Sequence, residues 1–451
     1  MITRDGSIIP AITVLMLGLI AGILSVEPKI SLVVIAILVG LTLIISFIAV
    51  PSIVPIILVI VSPFETVYVQ ISGSHIKIYE IIAILGFVVL LLHYSFKRIK
   101  FSPLVLWWMI PLVISDLLSS MHSLDRTSSF QMTLLLCIDV ITAFVISQYC
   151  SDKTTFRRVY ATLVWVVTII SFYGIVQVIA NKLGFQVPLS QQNIFTVGRA
   201  YSTFSEGDWF GTYCMMGIFI LLPELNKRKS AVLNLIVILM GLVLSFARTS
   251  WVILALGIVI VMFAKEYRRT AVRVGNRIFI VMIGFLSVAV LVFPSLVTQT
   301  LNRLSNSANV GSNTFQVRLG AMNGLWKYGF QHPWLGHGPG ESGMVNIYGQ
   351  LVQGPLLYRV STNATLDFWF NNGLIGVICL LFFIFGPIIL RKKIKLVYFT
   401  EHSFYLIIAV FLLFLTFQLS NAFFFGFYWI DVGLMFSTII FNRHKTLPEG
   451  L

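Results

Sequence analysis

The chain has 451 residues, of which 58% are hydrophobic and 11% are charged, and its formal net charge is +14. This composition, with a mean hydropathy of +0.94, is typical of a protein with many membrane spans and excludes an ordinary soluble enzyme. Most basic residues stand in short segments between apolar stretches, so the positive charge reports membrane orientation and does not indicate a nucleic-acid partner.

Apolar stretches recur along the whole chain, and crossing a bilayer takes roughly 20 apolar residues. We therefore predict an all-α polytopic integral membrane protein with about 12 to 14 transmembrane helices, built as a single membrane domain over residues 1–451. The run that follows Met1 to Gly6 lacks a small-residue cleavage site, so we expect it to remain as the first span. The predicted spans are 8–25, 30–50, 53–70, 78–95, 103–119, 130–149, 159–180, 209–224, 231–247, 249–264, 278–296, 363–390, 403–420 and 424–441.

Basic residues cluster in the segments that follow every second predicted span, from the fourth onward. The segments are Lys97–Lys100, Lys153–Arg158, Lys227–Lys229, Lys265–Arg277, Arg391–Lys395 and Arg443–Lys445. Because cytoplasmic loops are enriched in Lys and Arg, we predict a cytoplasmic (inner) membrane protein with both termini in the cytoplasm. The four cysteines lie in or at the ends of apolar stretches and show neither a disulfide framework nor a metal-ligand spacing.

One long polar segment, residues 297–362, interrupts the succession of spans. It carries charged residues and a dense glycine and proline run, Pro333–Gly340. The predicted topology places this segment outside the cytoplasm, where a membrane protein can meet a water-soluble group. We therefore expect function to lie at this large extracytoplasmic loop and at the span ends beside it.

Arg248 stands out among the basic residues on the predicted outer side. It lies in Leu244–Trp251, at a tight reversal between two apolar runs. An arginine at membrane depth is costly and usually pairs with another group or serves a functional pathway. Its position thus favours a functional role over that of a solvated loop charge.

Four segments, taken in order, resemble the O-antigen ligase and polymerase family of integral membrane glycosyltransferases. They are Gly198–Ser205 before a span, Ser245–Ser250 between two spans, Arg318–Gly340 with its Gly/Pro run, and Thr362–Gly376 opening a span. The family's ligases usually have His-Asn where this chain has Thr362-Asn363. That difference favours the polymerase branch, and ligation of glycan to a lipid or protein acceptor is the alternative within the family.

The resemblance implies a donor sugar carried on a polyprenyl diphosphate and an acceptor that is another lipid-linked repeat unit. Guanidinium groups bind phosphate oxygens bidentately and stay charged at physiological pH. We predict that Arg199 and Arg248 bind the diphosphate, with Arg318 as a secondary candidate, and that the reaction needs no metal or other cofactor. The lipid bilayer and a chain-length regulator protein are the further partners that the resemblance implies; nucleic acid is excluded.

The acceptor hydroxyl needs a base or a hydrogen-bond acceptor in the transition state. We predict His337, Asp367 and Asn363 as catalytic residues. The secondary candidates on the outer side are His332, Glu206, Asp208 and Glu341. For His332 the alternative is a packing or capping role. For Asp367 it is a local hydrogen bond near a helix start, where the helix dipole favours an acidic residue.

A transporter of polysaccharide or lipid is the alternative from another functional class. It predicts ionisable residues spread through the middle of the spans, where this chain has mainly Asp116, Asp139 and Asp431. The phosphate-suited arginines at the outer side fit an enzyme better.

Overall fold

The structure is a computed structural model that describes residues 46–71, 74–95, 102–185, 187, 199–225, 227–268, 272–278, 280, 283–284, 313–346, 348–352, 363–393 and 400–446. The helices are α1 (Ile53–Val61), α2 (Ile78–Ser95), α3 (Leu104–Ser120), α4 (Arg126–Tyr149), α5 (Lys153–Lys182), α6 (Gly207–Leu221), α7 (Ser230–Leu244), α8 (Arg248–Phe263), α9 (Asn313–Gly329), α10 (Ala364–Lys393), α11 (Thr400–Thr416) and α12 (Gly426–Thr446). Short 3₁₀ helices follow α6 at Leu222–Glu224 and α9 at Glu341–Met344.

The described residues form an all-α membrane protein, as predicted. Four helices, namely α2, α4, α5 and α10, are long and apolar enough to cross a membrane, and α3, α7, α8, α11 and α12 are shorter apolar helices. The predicted spans 8–25 and most of 30–50 and 278–296 lie outside the described residues. Large apolar side chains point outward from the bundle, such as Trp107, Ile169 and Val252, as expected where lipid replaces water.

The prediction of a span at 53–70 is wrong. Helix α1 ends at Val61, and the chain continues into an antiparallel hairpin of β1 (Tyr68–Ile71) and β2 (Ser74–Lys77). Pro63 lies two residues after Val61, and a proline has no N–H with which to continue the hydrogen-bond ladder. Residues 68–71 and 74–77 then pair as strands. Apolar composition alone does not distinguish such a strand from the end of a membrane span.

Helix α6 lies at the centre of the part of the bundle that positions the site. Every residue from Phe210 to Leu221 is buried, and α5, α7, α8 and α11 pack around it. Close packing depends on glycine at Gly217, where an added Cβ would lie 2.2 Å from a methyl carbon of Val167. A helix of this length spans about 22 Å, so its two ends lie at opposite faces of the bundle.

Candidate active site

Arg199 lies at the start of α6 and is held in a fixed orientation. Its Nε donates to the carbonyl of Ser245 at 2.6 Å, and its terminal nitrogen pairs with Asp208 at 2.7 Å. The guanidinium packs over Gly207, where an added Cβ would lie 2.4 Å from Nε. A guanidinium has five N–H donors, so the donors not used in these two bonds remain for a ligand.

The segment that carries Arg199 is tied to the bundle by buried polar contacts. The Gln177 side-chain oxygen of α5 accepts from the amides of Tyr201 at 2.9 Å and Ser202 at 2.7 Å. The Ser202 hydroxyl donates to the carbonyl of Ile170 at 2.7 Å. These contacts fix the arginine in place before any substrate arrives, which is a condition for electrostatic catalysis.

Arg248 begins α8, directly after the tight turn that the sequence predicted. The turn packs on α6, since a Cβ on Gly211 would meet Ala247 at 2.2 Å and Ser245 at 2.5 Å. Arg248 is exposed and, within the described part of the chain, forms no ion pair. No side chain caps this helix end, so its first amides and its dipole also favour an anion.

Glu206 and Arg318 join the same group. Partial loss of hydration raises the pKa of the Glu206 carboxyl above its ordinary value. The charge of Asp208 raises this pKa further, whereas the charges of Arg199 and Arg318 lower it. Arg318 on α9 therefore lies within electrostatic reach of Glu206. Glu206 precedes α6 but does not cap it, which leaves its carboxylate available.

Backbone strain is concentrated beside these arginines. Ser202 and Phe246 are the two non-glycine residues with positive φ in the described part of the chain, at 55° and 52°. Ser202 follows Arg199 by three residues, and Phe246 precedes Arg248 by two. Strained residues of this kind persist where the surrounding structure over-determines them, often at functional sites.

The first turns of α10 carry two of the predicted catalytic residues. The side-chain oxygen of Asn363 accepts from the amide of Leu366 at 2.8 Å, and its NH₂ donates to the carbonyl of Gln418 at 2.9 Å. Asn363 thus caps α10 and ties it to the end of α11. Asp367, one turn on, is buried within electrostatic reach of Asp116 in α3.

His337 is packed into the fold. Its ring stacks on Phe370 of α10 with centroids 4.2 Å apart, and Nε2 lies 3.1 Å from the carbonyl of Tyr328. A carbonyl only accepts, so Nε2 carries the proton and Nδ1 is left as the acceptor. Burial lowers the pKa of His337, which keeps the ring neutral, while His332 lies exposed beside it.

The Gly/Pro run docks against an interruption in α10. Gly373 has φ of 63° and ψ of −158°, and the amide of Leu374 donates instead to the carbonyl of Pro333 at 2.7 Å. Gly336, with φ of 70°, lies where a Cβ would be 2.3 Å from the backbone of Asn371. The polar run Asn371-Asn372-Gly373 was the signal for this break, which the sequence prediction of one continuous span missed.

The structure thus brings Arg199, Arg248, Arg318 and Glu206 to one end of the bundle. Asn363 lies at the same end. Helix α11 starts at the far end of α6, where His402 contacts Glu224, and it runs back to Gln418, whose carbonyl accepts from Asn363. His337 contacts the carbonyl of Tyr328, which follows Arg318 by ten residues along α9, a rise of about 15 Å. Thr362, at the start of the fourth family-like segment, lies outside the described residues.

Two predicted acids have other partners. Asp208 pairs with Arg199, and Glu341 is buried against the loop between α3 and α4, where it accepts from the hydroxyl of Ser123 and from the amide of Asp125. In the described ranges, no three His, Cys, Asp or Glu side chains group together as metal ligands.

Part of the chain is similar to a known protein family. Residues 233–381 match the family model described as O-antigen ligase. This match supports the O-antigen ligase/polymerase family. No curated protein matches the chain. The matched segment contains Arg248, Arg318 and the start of α10, and members of this family are membrane glycosyltransferase-like enzymes. Together with the apolar helices, the match supports a membrane protein that is similar to this family over residues 233–381.

Proposed function

We propose that this chain is a polysaccharide polymerase. It transfers a glycan from a polyprenyl-diphosphate donor to a sugar hydroxyl of a second lipid-linked repeat unit, on the non-cytoplasmic face of the cytoplasmic membrane. The observation that carries the proposal is the placement of Arg199 and Arg318 within electrostatic reach of Glu206, with Arg248 at the same end of the bundle.

The arginines suit the leaving group. As the bond between the anomeric carbon and the diphosphate oxygen breaks, negative charge grows on the diphosphate. Arg199, held by Ser245 and Asp208, and Arg248, exposed at an uncapped helix start, offer guanidinium donors to that charge. Preorganised donors of this kind take the role that a divalent cation has in other enzymes, so the proposed reaction is metal-independent.

Glu206 suits the acceptor. The incoming sugar hydroxyl forms its bond to the anomeric carbon from the side opposite the diphosphate and passes its proton to the Glu206 carboxylate. The polyprenyl diphosphate leaves with the electron pair of the broken bond, and the configuration is inverted. A carboxylate with a raised pKa is a stronger base than an ordinary one.

Two features support a polymerase over a ligase. Thr362 stands where family ligases usually have histidine, and a threonine hydroxyl is not a base at neutral pH. The neighbouring Asn363 uses both ends of its amide to cap α10 and to bind the Gln418 carbonyl. The base is therefore sought at Glu206, with Asp367 as the alternative on α10.

Purified protein in liposomes, given radiolabelled lipid-linked repeat units, tests the reaction. We expect a ladder of products that grow by one repeat unit, with release of polyprenyl diphosphate. Label that crosses the bilayer with no new glycosidic bond would instead identify a transporter. Products formed only when a different lipid acceptor is added would identify a ligase.

The orientation is tested by cysteine labelling in spheroplasts. We expect an impermeant thiol reagent to modify Gln350→Cys, which lies exposed after α9, and not Lys229→Cys, which lies exposed before α7. The matched control is the parent chain, whose four cysteines are buried or half-buried. Labelling at Lys229 with protection at Gln350 would reverse the orientation and move the active site to the cytoplasm.

A further inference from the structure

A second polar site lies at the opposite end of the bundle from the arginine group. A cavity of about 580 Å³ opens between the starts of α5, α7 and α11 and the 3₁₀ helix that follows α6. Helix α6 separates it from Arg199 by about 22 Å. The proposed transfer reaction makes no use of this cavity.

The rim of the cavity is basic. Its charged lining comprises Lys153, Arg157, Lys227, Arg228, Glu224 and Glu401, so four basic residues face two acidic ones. Glu224 is already engaged, since it lies 3.3 Å from Arg228 and 3.3 Å from His402. Glu401 lies 3.7 Å from Lys227. With its acids paired, the rim keeps an excess of positive charge for an anionic ligand.

The floor of the cavity is apolar and continues into a second groove. Ala161 and Trp165 of α5 line both the basic cavity and a groove of about 430 Å³, which is otherwise lined by Ile60, Phe64, Thr162, Val166, Ile169 and Ile170. Trp165 and Ile169 are 52% and 60% exposed, on the membrane-facing side of α5. From Arg157 to Ile169 the helix rises about 18 Å, which is slightly more than half of the ~30 Å hydrocarbon core.

We infer that the cavity and groove together bind an anionic phospholipid. The phosphate lies at the basic rim near Arg157 and Arg228, and one acyl chain runs along Trp165 toward the middle of the bilayer. A soluble anion would fill the rim and leave the groove unused, whereas a lipid matches both the charge and the apolar length. Basic pockets between helices at a membrane surface are suited to anionic headgroups.

Native mass spectrometry of the detergent-solubilised full chain tests the inference, with dioleoylphosphatidylglycerol and dioleoylphosphatidylcholine as probes of equal acyl length. We expect tighter binding of the anionic lipid. Arg157→Gln and Arg228→Gln should each weaken it about fivefold, and the double variant about 25-fold. The matched control is Arg268→Gln, an exposed arginine that does not line the cavity, and it should bind as the parent does.

Several results would overturn the inference. Equal affinity for the two lipids would show that the basic rim does not recognise the anionic headgroup. An unchanged affinity in the double variant would show the same. Full competition by glycerol phosphate at the lipid's own concentration would show an anion site that does not recognise the acyl chain. Phosphatidylglycerol with a brominated acyl chain should quench less tryptophan fluorescence in Trp165→Phe than in the parent, and equal quenching would remove the groove.

Discussion

Replacing Arg248 by lysine is expected to reduce the rate of polymer formation roughly 10²-fold, although the charge is kept. Lysine presents a single ammonium and loses the planar fork that binds two phosphate oxygens at once. Because Arg248 is exposed and begins a helix, the substitution should leave the fold intact. The measurement is the initial rate with a purified lipid-linked repeat unit, alongside protein level and thermal unfolding.

Arg199→Lys should behave similarly for an added reason. Its Nε and terminal nitrogen bind Ser245 and Asp208 at the same time, and one ammonium cannot reproduce both directions. Arg268→Lys, an exposed arginine on another segment, is the matched control and should keep the parent rate. A parent-like rate in Arg248→Lys would contradict the proposal that this arginine stabilises the leaving diphosphate.

Glu206→Gln is expected to lower the rate roughly 10²- to 10⁴-fold and to remove the acid limb of the pH–rate profile. Only the carboxylate form accepts the acceptor's proton, so activity in the parent should fall as pH drops through the raised pKa of Glu206. The amide has a similar shape and cannot take the proton. The measurement is the initial rate against pH for the parent and the variant.

Two neighbours should move that acid limb in opposite directions. The charge of Asp208 raises the pKa of Glu206, so Asp208→Asn should shift the limb to lower pH; Arg318 lowers it, so Arg318→Gln should shift the limb to higher pH. His337→Gln is the comparison variant and should stay within about threefold of the parent rate with the same limb. If Glu206→Gln keeps the parent profile, the base lies elsewhere, and Asp367 is the next residue to test.

The bounds of a helix were predictable where the apolar run and the polar or charged residues beside it mark the same ends. The predicted span 78–95 is the helix Ile78–Ser95, and α3, α7 and α8 also begin within a residue or two of their predicted starts. Helices α4 and α5 begin earlier than predicted, because Asp125 and Asp152 cap them inside polar segments. A search for apolar runs does not detect a helix start whose first turn is polar.

The site was predictable only in part. The motifs singled out Arg199 and Arg248, whose proximity follows from the packing of two short turns on α6. The pairing of Arg199 with Asp208 and the approach of Arg318 to Glu206 are tertiary contacts that no local pattern reports. The sequence predicted His337 as a catalytic residue but could not show how the Gly/Pro run around it folds. That run folds inward against the interruption at Gly373, where the amide of Leu374 donates to the Pro333 carbonyl.

The contact between the Arg199 guanidinium and Gly207 predicts which residues a distant relative keeps when its overall sequence similarity is too low to detect. Any side chain at 207 would push the guanidinium away, and Asp208 must follow at once to receive its terminal nitrogen. A distant relative that keeps this site is therefore expected to keep the spacing Arg-x₇-Gly-Asp ahead of a buried helix, with Ser-x-x-Arg at the start of a later one. Such a spacing would indicate the same arrangement of residues in chains where aligned identity no longer does.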